Sequence, residues 1–459
     1  RTSKDFTFHA RPTHPEGKRE VYVMVIGETS RALNWQLYGY ERETNPLLSR
    51  QTGLIAFPKV LTESNTTHKS VPMLMSDATA CNYDSIYHQK GIITAFKEAG
   101  FRTAFFSNQR YNHSFIDFFG MEADTYDFIK EDSLDSAYNP SDDELLALVA
   151  KELSKGNQKQ FIVLHTYGSH FNYMERYPQN MAHFQPDSQS DAKAENRRDL
   201  LNAYDNTIRY TDYVLHSVIE RLQKQGGLSA MLYTSDHGEN IFDDSRKLFL
   251  HAAPRASHYE LDVPFLIWTS RSYEHQEPRV DAALSQNKHK EIQSSRSAFH
   301  TMLQLGGIAN VAGANANGVM LSGLMNVAGN RANGIQISGL GNIARNTSRG
   351  VTIGGLMNLA DDQAQGLQIA GLANIAGKSQ SGIAIGGLMN VSAEKTDGAQ
   401  ISSILNISGG TARGAQIAAI GNVGINVNGM QLSAISNIAA AKIKGLQLCG
   451  AVNIAVETK

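Results

Sequence analysis

The 459-residue chain is short of cysteine, of charge of one sign and of long apolar runs, and each shortage removes a class of explanation. Its two cysteines, Cys81 and Cys449, lie far apart and support neither a disulfide framework nor a cysteine-rich metal site. With 42 Lys and Arg against 44 Asp and Glu there is no basic excess, so no nucleic-acid partner is expected. No apolar run reaches the roughly 18 residues of a membrane span, and no signal peptide opens the sequence, which therefore reads as a soluble chain. At 459 residues the chain exceeds what one hydrophobic core usually supports, which predicts two domains.

What is present divides near residue 305. In residues 20 to 300, "VYVMVIG" (21 to 27), "FIVLH" (161 to 165), "AMLYTS" (230 to 235) and "VPFLIW" (263 to 268) are nearly continuous apolar runs, as expected of parallel strands covered on both faces. "SDDELLALVAKELSK" predicts a helix capped by Ser141, and "RRDLLNAYDNTIRYTDYVLHSVIERLQKQGG" predicts one that ends on Gly226 and Gly227. Strands alternating with such helices indicate an α/β layered domain.

Beyond "AFHTMLQLGG" aromatic residues vanish and a repeat takes over. Asparagines stand at 310, 326, 342, 358, 374, 390, 406 and 422, then at 437 and 453 after one deletion, a 16-residue period that the glycines at 318, 334, 350, 366, 382, 398 and 414 also keep. Each unit carries two short apolar pieces of the "IQI" and "LMNV" kind, which one coil cannot bury alone and stacked coils can. The repeat predicts a β-solenoid of about nine coils with an internal asparagine ladder, and with segments such as "RNTSR" and "AEKTD" as outward turns.

Three predicted strands run into polar clusters: "VMVIG" into Glu28, "FIVLH" into "TYGSH" ending at His170, and "LYTS" into Asp236 and His237. In open parallel sheets the functional crevice lies at the carboxyl ends of the strands, so these residues are expected to converge as oxygen and nitrogen ligands of a divalent metal, zinc above all. A cation would explain why an apolar strand ends on an acid. "LTESNTTHKSVPMLMS" (61 to 76) places several hydroxyls before an apolar, helical stretch; most such hydroxyls are caps, while one bound to a metal would be a nucleophile.

"GETSRALNWQLYGYERETNP", "SNTTHKSVP", "FFSNQ", "LHTYGSHFNYMERYP", "AYDNTIRYTDYVL", "TSDHGEN" and "LHAAPRASHYELDVPFLIW" together resemble the periplasmic catalytic domains of phosphoethanolamine transferases, members of the alkaline phosphatase and sulfatase superfamily. The resemblance covers roughly residues 20 to 305 and implies an α/β sandwich of that superfamily's type, followed by the solenoid from 306 to 459. It implies Thr67, five residues before Pro72, as nucleophile, with Thr66 a weaker candidate, and Glu28, Thr67, Asp236 and His237 as zinc ligands. His170 and His251 are implied to bind phosphoethanolamine or a second zinc; Asn65 and His165 are further expected substrate contacts, His165 being as open to a purely packed role. The implied donor is phosphatidylethanolamine and the implied acceptor a lipopolysaccharide, through lipid A or a core sugar, or another envelope glycan. The implied place is the periplasmic face of the inner membrane, with membrane helices preceding residues 1 to 19 as linker.

The chain departs from the best-studied members in having only Cys81 near a site that they surround with disulfides, and in "THKS" where the lipid A enzymes carry small residues. The second departure resembles the branch that acts on core sugars. Two other functions stay open: another metal-dependent transfer such as that of glycerol phosphate, and a binding or scaffolding role for the solenoid. Sulfate ester hydrolysis is less favoured, because the nucleophile segment holds no "CxPSR"-like site.

Overall fold

A computed structural model describes residues 3–8, 10–130, 139–188, 191–312, 316–322 and 325–458. Two compact units meet at Ile308 and Ala309 in the sequence, residues 8 to 11 belonging with the second. Much of the expected linker is part of the first unit, where His14 is buried against Glu20 and Tyr22. Among the described residues no helix is long and apolar enough to cross a membrane.

The first unit is built on a seven-stranded sheet. Its strands are β1 (Glu20–Gly27), β2 (Leu54–Ala56), β3 (Arg102–Ser107), β4 (Thr125–Phe128), β5 (Lys159–His165), β6 (Leu228–Ser235) and β7 (Phe265–Thr269), in the spatial order β2-β7-β6-β1-β5-β3-β4. The central strands β6, β1, β5 and β3 are parallel and buried along nearly their whole length, which explains their unbroken apolar runs. β7, expected to be parallel, runs antiparallel to both β6 and β2. Burial on both faces dictates that "FLIWT" be apolar but carries no information about its direction.

Helix α1 (Thr67–Leu74) starts on the hydroxyl-rich segment, and α2 (Glu144–Leu153) lies in the span expected. The α2 cap position is Asp143, not Ser141, whose hydroxyl donates to Asp143 Oδ1 at 2.6 Å. The 29-residue α3 (Arg197–Gln225) buries Tyr204, Ile208, Leu215 and Val218 in the core and ends at Gly226, where φ is +71°. That left-handed conformation is one that glycine adopts without strain.

The second unit is a solenoid of parallel coils. From Asn310 to Asn453 the register steps by 16 residues eight times and by 15 once, between Asn422 and Asn437. The ladder is present: Asn342 Nδ2 donates to Asn358 Oδ1 at 2.8 Å and to Ile353 O at 2.9 Å, and the same pair of bonds recurs at Asn374 and Asn390. A second ladder, unforeseen, stacks Gln400, Gln416, Gln431 and Gln447 with 2.8 Å amide bonds. Repeat glycines such as Gly350, with φ of +117°, are required because a Cβ there would collide with the Gly334 carbonyl of the preceding coil.

The sorting of side chains is the reverse of the expectation. Gln336 between the isoleucines of "IQI" is buried, while Ile335 and Ile337 are exposed. Small residues such as Ala332 and Ala344 and planar amides fill most of the 16-residue coil's lumen, with the branched Val427 and Ile443 admitted near the C-terminal end, and the asparagines satisfy one another from coil to coil. The "outward turns" are also only partly so: Arg345, Asn346, Ala393 and Glu394 lie outside the strands, but Ser348 and Thr396 are buried strand residues, bonded to Thr352 and Ser392.

Candidate active site

The carboxyl ends of β1, β5 and β6 bring their polar clusters together with the start of α1. Glu28 follows β1, Asp236 and His237 follow β6, and one ligand atom from each lies within 4.8 Å of the others. Thr67, the first residue of α1, places Oγ1 3.0 and 3.2 Å from the two Glu28 oxygens and 3.2 Å from His237 Nε2. Thr66, the α1 cap residue, has its hydroxyl against Ser64 Oγ at 3.1 Å instead. Thr29, immediately after Glu28, is held at φ +60°, and at Gly168 a Cβ would press on the Glu28 backbone. Strain and close packing of this kind mark a backbone fixed for its side chains.

The fixed hydrogen bonds decide which atoms remain available. His237 Nδ1 lies 2.8 Å from Gly238 O, and a carbonyl only accepts, so Nδ1 carries the proton and Nε2 offers its lone pair to the cluster. Asp236 Oδ1 accepts from the amides of Thr29 and His237, while the buried Oδ2 makes no hydrogen bond among the described residues and lies 3.3 Å from His237 Nε2. An orphaned carboxylate oxygen, a second carboxylate, an imidazole lone pair and a hydroxyl form a donor set that fits zinc. Burial works to raise the Glu28 carboxyl, but His237, His170, His165 and the Gln109 amide outweigh it and hold it down at about 2. Burial and the charge of Glu28 push Asp236 well above the usual carboxylate range. Two acids this close cannot both ionise cheaply without a cation between them.

The remaining expected residues fall in three places. His251 has its ring centroid 4.1 Å from that of His237, and its Nδ1 lies 2.9 Å from Glu239 Oε1. Burial opposes the His251 charge, but Glu239, with Glu28 and Asp236, raises its pKa to about 9. His170 is 6.5 Å from His251 between ring centroids, stacks on Tyr167 at 4.7 Å, and gives Nδ1 to Phe171 O at 2.6 Å, which leaves Nε2 free. His165 is fully buried, driven by burial down to about 4, and reaches the cluster through Gln109, whose Nε2 is 3.0 Å from His165 Nε2 and 2.8 Å from Glu28 Oε2. Asn65 is not brought into the cluster; its amide donates to Ala253 O at 3.0 Å and Glu260 Oε1 at 2.9 Å, tying the nucleophile segment to the loop after His251.

Two residues escaped the sequence reading. Gln109 bridges Glu28 and His165, and buried Glu239 orients His251 while accepting from Tyr173 Oη at 3.0 Å. Both sit inside motifs already visible, "FFSNQ" and "SDHGEN", just past a strand or a ligand pair, and that position was the available signal.

The chain also has relatives among known proteins. The chain is similar to the phosphoethanolamine transferase EptA of Salmonella typhimurium, with 30% identity over 318 residues, 65% of this chain and 56% of that protein. Among solved structures it resembles the C-terminal periplasmic domain of EptC from Escherichia coli in complex with zinc, with 25% identity, a TM-score of 0.59, and 65% and 85% of the two chains covered. It also resembles the integral membrane lipooligosaccharide phosphoethanolamine transferase A of Neisseria meningitidis, with 30% identity, a TM-score of 0.58, and 66% and 57% covered. The chain thus spans little more than half the length of the Salmonella protein. The fold of the first unit is of the alkaline phosphatase and sulfatase type. Residues 20–308 match the sulfatase family model, and the chain belongs to the sulfatase family.

Proposed function

We propose that the chain transfers phosphoethanolamine from phosphatidylethanolamine to a lipopolysaccharide, at lipid A or a core sugar, or to another envelope glycan, on the periplasmic face of the inner membrane. The observation that carries this is the Thr67 hydroxyl at a helix N-terminus, 3.0 Å from Glu28 and 3.2 Å from His237, in a chain whose relatives transfer that group. Zinc, held by Glu28, Asp236, His237 and Thr67, would supply Lewis acidity and lower the pKa of the hydroxyl.

The residues of the chain account for the rest. Glu28 and His237 fix Thr67 Oγ1 in one orientation, and Gln109 fixes Glu28. The α1 N-terminus favours the anionic phosphoryl group that approaches the hydroxyl. Thr67 Oγ1 forms a bond to phosphorus as the bond to the diacylglycerol oxygen breaks, and the proton that the threonine hydroxyl loses is balanced by the one that the leaving oxygen takes up. His251, oriented by Glu239, which favours its charged form, offsets the charge that grows on the phosphoryl oxygens, with His170 beside it. In the second half the acceptor hydroxyl attacks the phosphoethanolamine on Thr67, gives up its proton, and restores the free threonine.

Intact mass and peptide mapping after incubating zinc-loaded protein with phosphatidylethanolamine test this reading. A phosphoethanolamine adduct on Thr67 is expected. Cleavage of a generic phosphate diester without that adduct would overturn the donor and keep the metal site.

A further inference from the structure

The outward positions of the solenoid are sorted by chemistry from coil to coil. Register stacks Ile337, Ile353, Ile369, Ile385, Ile401 and Ile417 directly above one another, and Leu432 continues the column. Ile337 and Ile385 are 39% and 38% exposed. Beside this column runs a corner row that includes Leu356 and Leu388, 42% and 41% exposed. Neither row holds a charged residue; the charges, such as Arg349, Asp362, Lys395 and Arg413, fall on the strand before the repeat glycine and its turn.

Exposed aliphatic residues scattered singly need no explanation, but a contiguous patch beyond a few hundred Å² marks an interaction site. Coils spaced about 4.8 Å apart make eight described coils roughly 38 Å long, and the strip from the residue after the glycine to the corner leucine spans roughly 17 Å. The projected face is thus roughly 650 Å², and ridged side chains bring its accessible area close to the ~800 Å² that each partner of a stable dimer contributes.

Three observations select the occupant. Residues 306 to 459 contain no aromatic residue, whereas faces that sit in a lipid interface characteristically carry Trp or Tyr. The rows hold no charge that an apolar partner would strip of water. The ridges repeat at the spacing of parallel strands, so the surface that interdigitates with them along the whole length is one with the same period, and a two-fold rotation supplies it from an identical chain. We propose that this aliphatic face of the solenoid is a homodimer interface, in which two copies pack sheet on sheet about a two-fold axis near Ile385 and Ile401.

Sedimentation of the full chain tests it. A dimer is expected at micromolar concentration, and Ile385→Lys combined with Ile401→Lys should raise the dissociation constant at least about 100-fold by burying unpaired charge, with the far-UV circular dichroism unchanged. Should that variant fail to fold, Ile385→Cys in a Cys81→Ser, Cys449→Ser background decides. A short bis-maleimide crosslinker, which spans the roughly 10 Å between packed sheets, should give a covalent dimer there, and none from Gln365→Cys on the polar side. A chain that stays monomeric at about 100 μM, a dimer indifferent to the lysines, or a monomer that instead floats with phosphatidylethanolamine and phosphatidylglycerol vesicles would each overturn the proposal.

Discussion

The two units use parallel β-structure with opposite interiors. In the first, β1, β5 and β6 bury Val25, Leu164 and Leu232 under helices, and polar groups collect where the strands end. In the second, the interior is chiefly Asn, Gln, Ser, Thr and Ala, and isoleucines such as Ile335, Ile337, Ile383 and Ile385 face outward. The enclosed width decides between them. A sheet covered by helices leaves a layer deep enough for rows of branched side chains, whereas a coil of 16 residues favours small and planar ones, and its asparagines are affordable inside because each meets an identical amide one coil away.

The contrast can be broken most severely at the site. Thr67→Ala should lower transfer by at least ~10³-fold while leaving circular dichroism unchanged, since it removes a hydroxyl whose partners are the cluster itself; comparable turnover in the variant would refute the nucleophile. Asp236→Asn should weaken zinc binding by on the order of 100-fold in a competition assay, yet raise the melting temperature of zinc-free protein by removing an acid that is costly to bury, and costlier beside Glu28. Reciprocal swaps sharpen the comparison. Asn374→Leu should cost the solenoid roughly 2–4 kcal/mol by overfilling the lumen and stranding the Asn358 and Asn390 amides, and Leu232→Asn should cost the first unit a similar amount, both read by chemical denaturation. A solenoid indifferent to Asn374→Leu would show that its ladder is ornamental.

The smallest effect concerns pH. His251 titrates near 9 in the metal-free protein, above its ordinary value of 6.5, so its contribution to stability is complete below about 6.5 and is lost as pH rises through 9. Glu239→Gln should bring the midpoint down, as followed by NMR of the imidazole, because burial then acts unopposed by its main partner.

Much of this was legible in the sequence, for identifiable reasons. Apolar runs ending at Glu28, His165 and Ser235 revealed the strands and the edge at which the site lies, and the 16-residue period fixed the coil register. The antiparallel sense of β7 left no trace, because a strand buried on both faces reads alike in either direction. The partners of Asn65, Ala253 and Glu260, left no trace either, because only three-dimensional packing brings residues 188 and 195 positions away to its amide. The aliphatic exterior escaped because alternation tells which residues share a face, and the size of the lumen tells which face is inside.

The one 15-residue step, between Asn422 and Asn437, has a wider meaning. The missing residue is absorbed by a register shift between Gly424 and Asn426, and the ladder bond across it keeps its length of 2.9 Å. Each coil answers only to its neighbours, so duplication or loss of a unit in the gene would lengthen or shorten this part of the molecule in increments of about 4.8 Å without redesign of the rest. The solenoid is in that sense a ruler whose length evolution can reset one notch at a time.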